Sequence, residues 1–218
     1  MFRHCYGGNN LKEDKETRNN LLQSARKEFT EKGYMKASLR TICKNAGVTT
    51  GALYFFFKDK DDLFDAVVGD TVNVIYNMMQ AHFEDEKNMA AKGGDMLPNA
   101  EEEAEHEETT ALVIHQMYLH REEILLVLTK SQGTKYENIA DRFIDSAEKH
   151  YRLMADAMVK HHPKEKIDEK FIHWLAHEQI DTFIFMISHI ETEHEALPFI
   201  NQAVTYMMSG WYGMFLSR

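Results

Sequence analysis

The sequence predicts an all-α chain of about nine helices, on three observations. Only three prolines and eleven glycines interrupt 218 residues, so few positions stop a helix. Leu, Met, Ala, Glu and Lys are plentiful, as helical proteins require. No segment of useful length alternates apolar and polar residues with the period of a strand. Apolar residues make up 44%, enough for a packed core rather than a disordered chain. No run approaches the eighteen apolar residues of a spanning helix. The first thirty residues lack a signal-peptide core, so a cytoplasmic location without membrane contact is expected. Cys5 and Cys43 are the only cysteines, too few for a disulfide framework and suited to a reducing compartment.

Residues 1–14 (MFRHCYGGNNLKED) show no period and read as a flexible N-terminal arm. From Glu16 the spacing of Leu21, Leu22, Ala25 and Phe29 is helical, and Gly33 closes that helix as a left-handed cap. Ser38 caps a short second helix through Ala46, which Gly47 breaks. Thr49 caps a third with Leu53 and Phe56 inward, and Asp59 caps a fourth running to Met79, with Asp62 in the place of a capping-box Glu. Residues 84–108 hold ten acids and two lysines around Gly93-Gly94 and Pro98, a solvated linker running into the next helix. A fifth helix starts near Pro98 and passes His120. Residues 122–131 form a short apolar sixth. Further helices span Tyr136 to His161, Asp168 to Ile190 and Pro198 to Phe215.

The net charge of -10 hides a split. Residues 1–60 carry twelve Lys or Arg against six Asp or Glu, while residues 61–218 carry thirteen against twenty-nine. A basic module on an acidic body is implied, divided as a helix-turn-helix domain at 15–60 and a helical body at 61–218.

Residues 39–58 (LRTICKNAGVTTGALYFFFK) meet the demands of a helix-turn-helix in one register. Ile42 and Ala46 are apolar, Cys43 is the small residue where the helices cross, Gly47 turns the chain, and Val48, Leu53 and Phe56 fill the other side. The second helix of such a pair enters the major groove N-terminus first. That places Thr49, Thr50 and Gly51, all short, against base edges, where a Thr methyl or hydroxyl can touch. Arg40 and Lys44 on the preceding helix are the candidates for strong contacts. Tyr54 can bond a phosphate, and Lys60 sits where a helix N-terminus already favours an anion.

Residues 17–68 resemble the TetR family of bacterial transcriptional regulators, through Gly33-Tyr34, the AGV turn at 46–48, G-x-L-Y-x-x-F at 51–57 and K-D-K-D-D-L at 58–63. About a quarter of the chain carries the resemblance. It implies an N-terminal three-helix DNA-binding domain and a C-terminal helical domain for effector binding and dimerisation. It also implies DNA contacts at Ser38, Arg40, Thr50, Gly51, Tyr54 and Lys60. Ala52 stands where many members have a phosphate-bonding Thr, and Phe55 and Phe56 where His or Tyr is common, which removes expected contacts. On this reading Phe57 anchors the fourth helix to the head.

One head reads too few base pairs to be selective, so a two-fold dimer on a palindromic operator in double-stranded DNA is expected. Residues 171–190 are apolar on more than one face, and Met207, Trp211 and Phe215 with Ser209, Gly210 and Gly213 suit close helix approach. A homodimer through the last two helices follows. The resemblance further implies an inducer pocket for an unidentified small molecule, with His115, Tyr118, Phe143, Tyr151, Met154, Trp174 and His177 as candidate lining. Ligand in the body would then swing the fourth helix and release a repressor from its operator. Two alternatives stay open. One is a DNA-binding dimer with no small-molecule input, controlled by a protein partner. The other is a helical enzyme, although no G-x-x-x-x-G-K, G-x-S-x-G or H-E-x-x-H arrangement is present. No catalytic residue and no cofactor is assigned. His173 and His177 have ligand spacing, but no third ligand completes a metal site.

Overall fold

Capping chemistry sets most helix boundaries in the computed structural model, which describes residues 7–91, 100–161 and 166–216. Among the described residues there are nine helices and no strand: α1 (Gly7–Lys36), α2 (Leu39–Asn45), α3 (Thr50–Phe56), α4 (Lys60–Ala91), α5 (Ala100–Leu119), α6 (Arg121–Lys130), α7 (Ile139–His161), α8 (Glu169–His189) and α9 (Glu193–Leu216). The Ser38 hydroxyl accepts the Thr41 N–H, Thr49 Oγ1 accepts the Ala52 N–H, and Asp168 accepts the Lys170 N–H. At α4, Asp59 accepts the Asp62 N–H while the shorter Asp62 side chain takes the Lys58 N–H, one residue before the usual capping-box donor.

Four boundaries differ from the sequence reading. α1 begins at Gly7, so residues 7–14 of the expected arm are helical, while residues 1–6 lie outside the described ones. Leu11 is the one apolar residue among 7–14, so a search for apolar period misses this stretch, and its Gly-Gly-Asn-Asn start has low helix propensity. α4 runs on to Ala91, three turns past Met79, because Phe83 extends the buried stripe. The acidic run is helical at 84–91 and 100–108, and its Gly-Gly and Pro lie outside the described residues. α7 starts at Ile139 rather than Tyr136. α9 starts at Glu193 and carries Pro198 inside it. Thr192 and Glu195 cap it reciprocally, the Thr192 hydroxyl donating to Glu195 Oε2 at 2.8 Å and accepting the Glu195 N–H. Pro198 then costs one early backbone bond rather than starting the helix.

Packing divides the chain into two units, Met1–Val72 with Glu122–Glu137, and Asn73–Arg121 with Asn138–Arg218. In the first, Leu21, Ala25 and Phe29 of α1 are fully buried, as are Ile42, Leu53, Leu63 and Val68. Phe29 meets Phe64 edge-on at 5.0 Å, and Tyr34 meets Phe64 at 5.3 Å. Residues 122–137 are stitched into this unit by polar ties. Arg26 pairs at 2.7 Å with Glu123, whose side chain is 6% exposed, and Lys130 donates to the Thr30 carbonyl. Tyr136 donates to Asp65, and Lys135 pairs with the same oxygen at 2.8 Å. Gly69 leaves room for this cluster, since a Cβ there would lie 2.8 Å from Asp65 Oδ1 and 3.0 Å from the Tyr136 hydroxyl.

Burial opposes ionisation of Asp65, but the bonds from Lys135 and Tyr136 outweigh it and hold the carboxyl below its ordinary range. A group whose pKa is depressed on folding stabilises above its unfolded pKa, about 3.9 for Asp. That contribution is lost as pH falls through the folded value. Asp65→Asn is therefore expected to flatten the acid limb of stability against pH, read by urea unfolding between about pH 2 and 5. An unchanged acid limb would remove Asp65 from the linkage.

In the second unit α7 lies along α8, and α9 packs against both α5 and α8. Phe83, Ile144, Ala147, Ala176 and Ile180 form one cluster. A second joins Ala155, Met158 and Ile172 to Trp211 and Phe215. The last two residues thus belong to the interior of one chain, a correction to their reading as interface residues. Periodicity marks a face as apolar without saying which chain covers it.

Candidate nucleic-acid interface

The turn between α2 and α3 is fixed by the backbone. Gly47 has φ 71°, its N–H bonds to the Lys44 carbonyl and the Val48 N–H to the Cys43 carbonyl. This is the paired-bond helix end that needs a left-handed residue. Buried Ile42, Cys43 and Leu53 seat the two helices, and Ser24 Oγ donates to the Ile42 carbonyl at 2.8 Å. The outward residues are therefore decided by what lies inside.

Thr49, Thr50, Gly51 and Tyr54 are exposed on α3 and its cap. The Thr49 hydroxyl spends its acceptor on the cap, leaving its hydrogen for a ligand. A Cβ on Gly51 would meet only Thr49 Oγ1, at 3.8 Å, so the surface there is open to close approach. Arg40 and Lys44, four residues apart on α2, are both exposed, and among the described residues neither is paired with a carboxylate. The helices also differ in their N-termini. Acids occupy the first turns of α4, α6, α7, α8 and α9, whereas α1, α2 and α3 have none. No acid within α2 or α3 therefore competes for their first-turn N–H groups, although the Glu28 carboxylate of α1 reaches the N-cap of α2.

Ser38 and Lys60 are more occupied. The Ser38 N–H bonds to the buried Glu28 carboxylate at 3.1 Å. Lys60 donates to the Met35 carbonyl at 3.4 Å and lies 4.6 Å from the Tyr34 ring centroid. Partial burial lowers its pKa, against the pull of Asp61 and Glu28. The Tyr34 hydroxyl donates to Asp61 at 2.6 Å. Burial and that bond push its pKa to about 12, so it stays a donor at neutral pH. Phe57, not Phe56, is the buried ring at this end, with Arg18 over its face at 5.4 Å. Phe56 is half-buried and Phe55 is 75% exposed. The sequence reading set Phe55 aside for lack of a polar tip, yet its place one turn after Gly51 marks it as outward.

The seven candidate effector residues fall in three places of the second unit. His115 Nδ1 lies 3.1 Å from both carboxylate oxygens of Glu193, and the Tyr118 hydroxyl donates to the Ile190 carbonyl at 3.0 Å. Phe143, Tyr151 and Met154 pack against the α7–α8 clusters, and burial, then Glu86, raises the Tyr151 pKa. Trp174 is 47% exposed beside Phe171, and His177 meets His173 edge-on at 4.7 Å. His173 Nδ1 is itself engaged by Glu148 Oε2 at 2.6 Å. No group of three or more ligating side chains suited to a metal occurs among the described residues. None of their helices is long and apolar enough to cross a membrane.

Among described residues that are otherwise helical, a Gly-turned helix pair with an open outward face and exposed cations has the geometry of a helix-turn-helix. Residues 21–67 match the family profile described as bacterial regulatory proteins, tetR family. The head of this chain is thus similar to the corresponding part of that family's members. Over 55 residues the chain is 47% identical to the HTH-type transcriptional regulator AcrR of Shigella flexneri, covering 25% of this chain and 26% of that protein. Over 54 residues it is 44% identical to the HTH-type transcriptional repressor BepR of Brucella suis biovar 1, covering 25% and 26%. The chain thus spans about a quarter of the length of these relatives. The fold extends further. The structure of NalD, the secondary repressor of the MexAB-OprM multidrug efflux pump in Pseudomonas aeruginosa, aligns with a TM-score of 0.53 at 15% identity, covering 90% of this chain and 97% of that one.

Proposed function

We propose that the chain is a DNA-binding transcriptional regulator of the TetR type, acting as a homodimer and repressing until a small-molecule effector releases it. The observation that carries this reading is the outward face of α2–α3, where Arg40, Lys44, Thr49, Thr50, Gly51 and Tyr54 stand exposed together. Ser38 and Lys60 complete the contact set from the flanking turns. In this division residues 15–60 read the operator and 61–218 sense and dimerise. Dimerisation through α8 and α9 is supported by Trp174, Phe185 and Tyr206, which are 47%, 49% and 76% exposed on those helices. Repression is supported by the repressor role of BepR, which is 44% identical over 54 residues.

The test is selection of bound fragments from genomic DNA, followed by titration of the recovered duplex at several salt concentrations. If two heads neutralise about six phosphates, affinity is expected to fall roughly a thousandfold between about 50 and 200 mM salt. The recovered site should be palindromic, with half-sites about one helical turn or a multiple of it apart. Flat salt dependence, or one protomer per duplex by sedimentation, would sink the reading.

A further inference from the structure

Between Thr49 and Phe57 no side chain is an amide, a guanidinium, an ammonium or a carboxylate. The groups that ordinarily read bases by paired hydrogen bonds are therefore missing from α3 itself. Thr50, Gly51, Tyr54 and Phe55 are all exposed and are spaced i, i+1, i+4 and i+5, which puts them on one strip of the helix. Leu53, about 160° round the helix from Phe55, is buried. Phe55 is 75% exposed, and of the protein's rings Phe56 meets it at its edge, 5.0 Å away. Gly51, one turn earlier, leaves the approach to the ring open. The strip thus offers the Tyr54 hydroxyl, a Thr50 hydroxyl engaged with Cys43, and one bare ring. The major-groove edge of DNA offers one apolar feature, the C5-methyl group of thymine.

We infer that Phe55 is a specificity-determining residue that packs on thymine methyl groups in the major groove, so that this regulator selects part of its half-site by apolar contact. The inference rests on the DNA-binding reading above. It assigns the exposed ring to DNA rather than to a protein surface because the ring continues the strip that carries Thr50 and Tyr54.

Duplexes retained by the full chain supply the probe, with thymine replaced by deoxyuridine one position at a time. That change removes a methyl and leaves every hydrogen-bonding group in place. At one or two positions per half-site the unaltered protein is expected to lose about fourfold in affinity, the worth of one buried methyl. Phe55→Ala should bind the thymine duplex about tenfold more weakly and be indifferent to uracil at those same positions. Its exposure leaves the fold intact, which thermal melting checks. Equal binding of thymine and uracil duplexes, or discrimination that survives Phe55→Ala, overturns the inference while leaving DNA binding standing. So does a variant that binds DNA normally but loses self-association, which would assign the ring to a protein contact. A protein that retains no duplex at all defeats the regulator reading and this inference with it.

Discussion

Phe29→Ala is expected to destabilise the unit around the helix-turn-helix by about 3–5 kcal/mol. Phe29 is fully buried, with its ring edge-on to Phe64 at 5.0 Å and 6.1 Å from Tyr34. Truncation removes the apolar surface of a whole ring and two aromatic contacts, and it leaves a cavity that the α1 and α4 backbones cannot close. A small domain holds only about 5–15 kcal/mol in all, so most of that reserve would go. The head would then be partly unfolded at physiological temperature, and DNA binding would fall without any contact residue changing. Urea unfolding followed by circular dichroism gives the measurement, as a lower midpoint at an unchanged slope. Exposed Phe55→Ala is the control and should move stability by less than about 0.5 kcal/mol. A loss below about 1 kcal/mol for Phe29→Ala would show that the ring does not hold α1 to α4.

The head was readable because every requirement of its turn is a residue type. Gly47 alone satisfies φ 71°, Ser38 and Thr49 declare their caps, and Ile42, Cys43 and Leu53 fall at the only inward positions of short helices. What escaped the sequence was tertiary. No local pattern says that residues 122–137 join the first unit, since the tie of Glu123 to Arg26 spans 97 residues (123 minus 26) and that of Tyr136 to Asp65 spans 71. Trp211 and Phe215 looked like interface residues because α9 is apolar round much of its circumference. Which side faces a second chain is a matter of packing, not of period. Pro198 misled in the opposite direction, being a common first residue of helices that here sits inside one capped by Thr192. Phe55 was passed over because contact residues were sought among polar side chains. Its exposure became legible only once buried Leu53 fixed which side of α3 is inward.

Arg40→Ala is expected to weaken operator binding by about 10- to 100-fold, the worth of one or two charge-assisted hydrogen bonds per dimer. Three features single this residue out. It lies in the first turn of α2, where the helix dipole opposes a cation, and no acid in that turn offsets it. It is exposed and, among the described residues, not paired with a carboxylate, so its guanidinium is free for a ligand. It also belongs to the helix that precedes the reading helix, where a long side chain can reach across to the backbone or a base. Removing it should leave stability and dimerisation unchanged, because its side chain is exposed. Salt dependence then tells its role. If Arg40 meets a phosphate, Arg40→Ala lowers the salt slope by about one per head, and Arg40→Lys restores most of the affinity. If it reads guanine, Arg40→Lys loses the planar fork and relaxes preference at one base pair, while the salt slope stays. Lys44→Ala, four residues on, is the comparison and should cost affinity uniformly across sequences. Unaltered operator affinity in Arg40→Ala would remove the residue from the contact surface and shift the electrostatic burden to Lys44 and Lys60.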